Sequence, residues 1–151
     1  MAKTAAARVL IVANQTANSP ELAEAVHARA KKGDAKFTLV VPSAAPGLHQ
    51  LVDPEDHGDS NARAVIRAAR PGLEKAAGGS ITAVVGDSVP LDAVQDAINL
   101  RGFDEIIVST LPHTVSRWLK LDLPHKLEGL GLPITTVTAS KDNSTDAPVS
   151  V

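Results

Sequence analysis

Five short apolar runs constrain this chain more than anything else in it: RVLIVA at residues 8–13, KFTLVV at 36–41, SITAVV at 80–85, EIIVS at 105–109 and ITTVT at 134–138. The first is apolar at consecutive positions, not alternate ones. A strand of that kind is buried on both faces, as in a parallel sheet covered by helices. Helical spacing fills the gaps between the runs. Leu22, Ala25, Val26 and Ala30 recur on one face, then Ala62, Val65, Ile66 and Ala69, then Leu91, Val94 and Ile98. Strands that alternate with helices pair in parallel through right-handed crossovers.

Turn chemistry sets the boundaries. Ser19-Pro20 is a helix start, with serine as cap and proline in the first turn. Lys31-Lys32-Gly33 is a helix end. Pro42 closes the second strand, and a long loop from Ser43 to Gly58 leads to a helix beginning near Asp59-Ser60. Pro71-Gly72 breaks or kinks that helix, with Leu73 to Ala77 as a further turn. Arg101-Gly102 ends the third helix. A short helix from Val115 to Leu121, capped by Thr114, is expected after the fourth strand. Leu111-Pro112-His113 and Leu123-Pro124-His125 bracket it as boundaries. Residues 1–139 therefore read as one domain, and the polar SKDNSTDAPVSV at 140–151 as a flexible tail.

Composition excludes several functions. The 151 residues are 44% hydrophobic but only 2% aromatic, so the core is built from Val, Ile, Leu and Ala. The net charge is −2, against the basic excess of a nucleic-acid binder, and a base-stacking platform has too few rings. With no cysteine, disulfides and thiol chemistry are ruled out. No apolar run approaches the roughly 18 residues of a membrane span. The start MAKTAAARVLIVA reads as a first strand and not a signal peptide, so the expected location is the cytoplasm.

Ligands of parallel α/β domains sit at the carboxyl ends of the strands. Here that crevice would be formed by Asn14 to Thr16, Val41 to Ser43 and Ser109 to Arg117. Asn14, Thr16, Val41, Ser109, Thr110, His113, Ser116 and Arg117 are the candidate ligand residues. Backbone N–H groups at a helix start after Thr114 and the Arg117 guanidinium would suit an anion, with His113 and Ser116 adding hydrogen bonds. Against this, Val115, Trp118 and Leu119 could pack inward, leaving Arg117 and Lys120 on a solvated face. Trp118 is the sole tryptophan and could stack on a ligand, anchor a partner or pack onto the sheet. His49, Asp53, Glu55, Asp56, His57 and Asp59 crowd the long loop without a known metal spacing. Arg63, Arg67 and Arg70 form a stripe on the second helix, read as a solvated face. No nucleophile elbow, Walker loop, dinucleotide fingerprint or zinc-protease motif is present in the sequence.

Val84-Val85-Gly86-Asp87, the Val94 to Ile98 helix and Phe103-Asp104-Glu105-Ile106-Ile107-Val108-Ser109-Thr110 together resemble the universal stress protein family, a branch of the adenine-nucleotide-binding α/β folds. The likeness spans about residues 7–139 in architecture and is specific at 84–110. It implies a role in stress response, with ATP or another adenine nucleotide as the ligand to consider. ATP-binding members carry Gly-x2-Gly-x9-Gly-(Ser/Thr) after the fourth strand. On this chain the first two glycines fall on Ser109 and Pro112, and the closing pair on Asp122-Leu123, where a carboxylate would repel phosphate. The acid that members often carry after the first strand is Asn14. The chain therefore resembles the members that lack the motif. The family's last strand often pairs two subunits, which implies a homodimer through Ile134 to Thr138.

The expected fold is a single doubly wound α/β domain with strand order 3-2-1-4-5 and helices on both faces. The expected function is a non-enzymatic, dimerising domain that takes a small anionic or nucleotide ligand, without nucleic acid, membrane or metal. Two rivals stay open. One is an enzyme acting on a phosphorylated or nucleotide substrate, with His113 as acid/base and Arg117 as clamp. The other is an interaction module using the last strand and Trp118.

Overall fold

A computed structural model describes residues 6–43, 57–86, 89–110 and 123–139. Strand β1 (Ala7–Val12) is followed by a 3-10 turn (Gln15–Asn18) and helix α1 (Pro20–Lys32). Then come β2 (Ala35–Pro42), α2 (His57–Ala77), β3 (Thr82–Gly86), α3 (Pro90–Arg101), β4 (Glu105–Thr110), α4 (Leu123–Glu128) and β5 (Ile134–Thr138). The five strands form one parallel sheet in the order β3-β2-β1-β4-β5. This is the expected doubly wound order.

Strand alternation sorts the core into two layers. Val9, Ile11, Phe37, Leu39, Val41 and Ile107 face α1 and α2, where Leu22, Val26, Ala62, Ala69 and Leu73 meet them. Leu10, Val12, Val40, Ile106 and Val108 face α3 and α4 and meet Ala93, Val94, Ala97, Leu123 and Leu127. Val9 through Ala13 are fully buried, which is why the chain is apolar at each of those five positions. Small residues on α3 let that helix lie close to the sheet.

Three boundaries differ from the sequence reading. Helix α2 begins at His57 and runs unbroken through Pro71. Pro71 gives up one main-chain hydrogen bond. The turns on either side compensate: Leu73 is buried, Arg70 Nη2 donates to the Ile81 carbonyl at 2.9 Å, and Glu74 accepts from the Ile81 N–H at 3.0 Å. Second, the boundary at Leu123-Pro124-His125 opens a further helix that the spacing does not predict, because proline is tolerated in a first turn and Leu123 and Leu127 are both buried. Third, Pro42 is the last residue of β2, paired with Gly86. The next residue, Ser43, donates to the Gly86 carbonyl at 3.0 Å, so the missing proline donor does not end the ladder early.

The start of α1 is as expected. The Ser19 hydroxyl accepts from the Leu22 N–H at 3.2 Å, with Pro20 in the first turn. Strand β5 spans the residues expected of it. Ile134 packs into one core layer and Val137 into the other, while Thr135, Thr136 and Thr138 are exposed.

Candidate functional site

The chain builds β1, β2 and β3 outward in one direction and then returns to place β4 on the other side of β1. That reversal puts the switch point at the carboxyl ends of β1 and β4, where neighbouring connections leave in opposite directions and open a crevice. Two of the expected residues meet there. The Thr16 and Ser109 hydroxyls lie 2.7 Å apart, and Ser109 Oγ also sits 3.5 Å from the Thr16 carbonyl. Thr16 is 6% exposed and Ser109 1%. The pair ties the loop after β1 to the end of β4.

Asn14 is half-buried at the head of the 3-10 turn, where its carbonyl accepts from the Ala17 N–H at 2.9 Å. Val41 has no exposed surface, and its side chain belongs to the core layer under α1 and α2. Thr110, the last residue of β4, is 2% exposed, and its Oγ1 has no hydrogen-bond partner among the described residues. Its main-chain carbonyl accepts from the Ala139 N–H at 2.8 Å. An unpaired buried hydroxyl costs about 1–3 kcal/mol, so such a group calls for an explanation.

His113, Ser116, Arg117 and Trp118, the expected helix Val115 to Leu121, and the acidic loop from His49 through Asp56 lie outside the described residues. His57 and Asp59 fall in the first turn of α2. Of the arginine stripe, Arg63 and Arg67 are exposed as expected, whereas Arg70 is engaged with Glu74 and Ile81. Among the described residues no group of three His, Asp or Glu side chains could hold a metal ion, and no helix is long and apolar enough to cross a membrane.

Gly86, at the end of the Val84-Val85-Gly86 run, owes its identity to packing. A Cβ on Gly86 would come within 2.7 Å of Ala93 Cβ and 2.9 Å of Val40 Cγ1. The glycine that ends β3 is therefore required by the close approach of α3 and β2. The signal was visible as Gly86 within the stretch 84–110, but its cause is a contact between elements distant in sequence.

No protein-family model and no curated protein matches the chain. Solved structures do. A crystal structure of a universal stress protein in complex with cAMP matches over 90% of this chain and 100% of its own, with 17% identity and a TM-score of 0.61. The crystal structure of a hypothetical protein, PH0823, matches over 87% of this chain and 96% of its own, with 13% identity and a TM-score of 0.56. The fold is thus the α/β arrangement of universal stress protein structures.

Proposed function

We propose that this chain is a non-enzymatic domain of the universal stress protein type that takes a small anionic or nucleotide ligand at the carboxyl end of its sheet and dimerises through β5. The observation that carries the reading is the pair of buried hydroxyls at the switch point, Thr16 and Ser109, together with Thr110 Oγ1, which lies at the same end of β4 on its other face and is buried without a partner among the described residues. A ligand donor or acceptor reaching the end of β4 would satisfy that hydroxyl and recover its desolvation cost. The neighbour crystallised with cAMP supports a cyclic or simple adenine nucleotide as the ligand to test. The anion would be met by Arg117, the guanidinium nearest in sequence after β4. The same Asn14, Ser109, Pro112 and Asp122 that replace the family's acid and glycines argue for a ligand other than ATP held in the family manner.

Dimerisation is favoured by the character of β5. It is a sheet edge carrying Thr135, Thr136 and Thr138 exposed and no charged residue, the kind of edge that natural proteins cover. The non-enzymatic reading rests on the sequence, in which no nucleophile–base pair can be named.

Thermal-shift and calorimetric titrations with cAMP, AMP and ATP test the reading. The expected result is stabilisation by AMP or cAMP, through linkage, that is lost in Arg117→Ala. No shift with any of the three at millimolar concentration would overturn it.

A further inference from the structure

A second concavity lies at the opposite end of the sheet, on the α3 face, and has a volume of about 560 Å³. That is within the size range of small-molecule sites, about 300–1,000 Å³. Parallel register and strand alternation build its floor. Arg8 of β1 stands beside Lys36 of β2, and Thr38 of β2 stands beside Thr82 of β3, all on the face toward α3. Ser80, Arg101 and Phe103 complete the lining that matters chemically. Three cations and three hydroxyls therefore converge, and the lining contains no carboxylate, in a chain whose net charge is −2.

The Arg8 guanidinium is fixed in place. Its Nη1 donates to the Arg101 carbonyl and contacts the Gly102 carbonyl at 3.5 Å, so it offsets the negative end of α3. The nearest carboxylate, Asp104, accepts from the Arg8 main-chain N–H at 2.8 Å. Lys36 and Arg101 are exposed and form no ion pair among the described residues. Thr38, 8% exposed as a residue, lines the floor two positions further along β2 than Lys36.

The wall gives the second half of the argument. Ala93 and Ala97 pack α3 onto the sheet, and Leu100 follows on nearly the same stripe one turn later. Yet Leu100 is 81% exposed, because the sheet beneath it carries Lys36, Thr38 and Thr82 in place of aliphatic side chains. Among the described residues, an apolar side chain at a helix-contact position is left over a polar floor, with the half-buried Phe103 lining the same concavity.

From this cavity we infer that the amino end of the sheet is a binding site for a small organic anion with an apolar group, such as an aryl-substituted short-chain carboxylate. The carboxylate lies between Lys36 and Arg101 with the threonine hydroxyls below it. The apolar group fills the gap under Leu100 and against Phe103. This site is independent of the one proposed at the carboxyl end.

The test uses 3-phenylpropionate as probe, with 3-phenylpropanamide and inorganic phosphate as comparisons, followed by amide chemical shifts and calorimetry. The expected result is that 3-phenylpropionate shifts the amides of Thr38, Thr82, Leu100 and Gly102. Its affinity should fall about tenfold in Lys36→Glu, as for loss of one charge-assisted contact. It should also fall in Leu100→Gln, whose exposed position leaves the fold intact. The neutral amide and phosphate should each bind more weakly, since each lacks half of the recognised chemistry. Absence of binding at millimolar probe, shifts confined to Thr16, Ser109 and Thr110, or affinity unchanged in both variants would overturn the inference. Titration of the same protein with cAMP reads the carboxyl-end site separately, so failure of one site is distinguishable from failure of the other.

Discussion

Thr16 and Ser109 lie 93 residues apart in sequence, and their buried hydroxyls share a 2.7 Å hydrogen bond where β1 and β4 diverge. The bond holds the loop after β1 against the strand that begins the second half of the fold. Among the described residues neither has another side-chain partner of comparable geometry, so each depends on the other for satisfaction. Thr16→Val is expected to destabilise the protein by about 1 kcal/mol, because it leaves the Ser109 hydroxyl without its best partner. Ser109→Ala should cost a similar amount. The double variant should cost less than the sum of the two, and a double-mutant cycle by urea denaturation measures that coupling.

Thr110 behaves in the opposite way. Its hydroxyl is buried and unpaired, so Thr110→Val replaces a desolvated polar atom by a methyl group of similar size. The ligand-free protein should gain about 1 kcal/mol in stability. If the hydroxyl serves a ligand, the same variant should bind AMP or cAMP more weakly. Opposite signs in denaturation and titration would mark a residue kept for binding and not for folding.

Gly86 admits no side chain without movement of α3 or β2. Gly86→Ala forces a methyl into Ala93 Cβ and Val40 Cγ1, an overpacking of the kind that costs about 1–3 kcal/mol. Thermal denaturation should show the loss. The paired variant Gly86→Ala with Val40→Ala should relieve one of the two clashes but add a cavity, and so should not restore wild-type stability.

The Arg29 guanidinium joins α1 to β4 through Glu105, with Nε 3.0 Å from both carboxylate oxygens. Both side chains are about three-quarters or more covered, at 17% and 24% exposure. Such a pair is screened less than a surface pair. Glu105→Gln should lower stability by about 1 kcal/mol, with only a weak dependence on salt concentration. A denaturation series at low and high ionic strength separates this from the solvated stripe of Arg63 and Arg67, whose substitution should be near neutral.

Much of this fold is legible in the sequence because its signals are local. The unbroken apolar run from Val9 to Ala13 states burial on both faces, and β5 spans the expected Ile134 to Thr138 because its flanks are glycine, proline and a polar tail. The misses have local causes. Pro71 carries a signal for ending a helix, and the buried Leu73 overrides it in α2, whereas Pro124 marks a helix start, with Leu123 and Leu127 buried in α4. The site is less legible than the fold. Asn14, Thr16, Ser109 and Thr110 do gather at the carboxyl end, but the hydrogen bond between Thr16 and Ser109 is a product of topology. Nothing near either residue announces the other. Position 41 points to a wall of the crevice on sequence alone, but the Val41 side chain fills the core under α1 and α2.

The central claim is that the carboxyl end of the sheet binds a nucleotide-like anion. An amide chemical-shift titration with cAMP tests it most directly. The account predicts saturable shifts centred on Thr16, Ser109 and Thr110, lost in Arg117→Ala. Shifts absent at millimolar cAMP, or centred elsewhere on the protein, would contradict it.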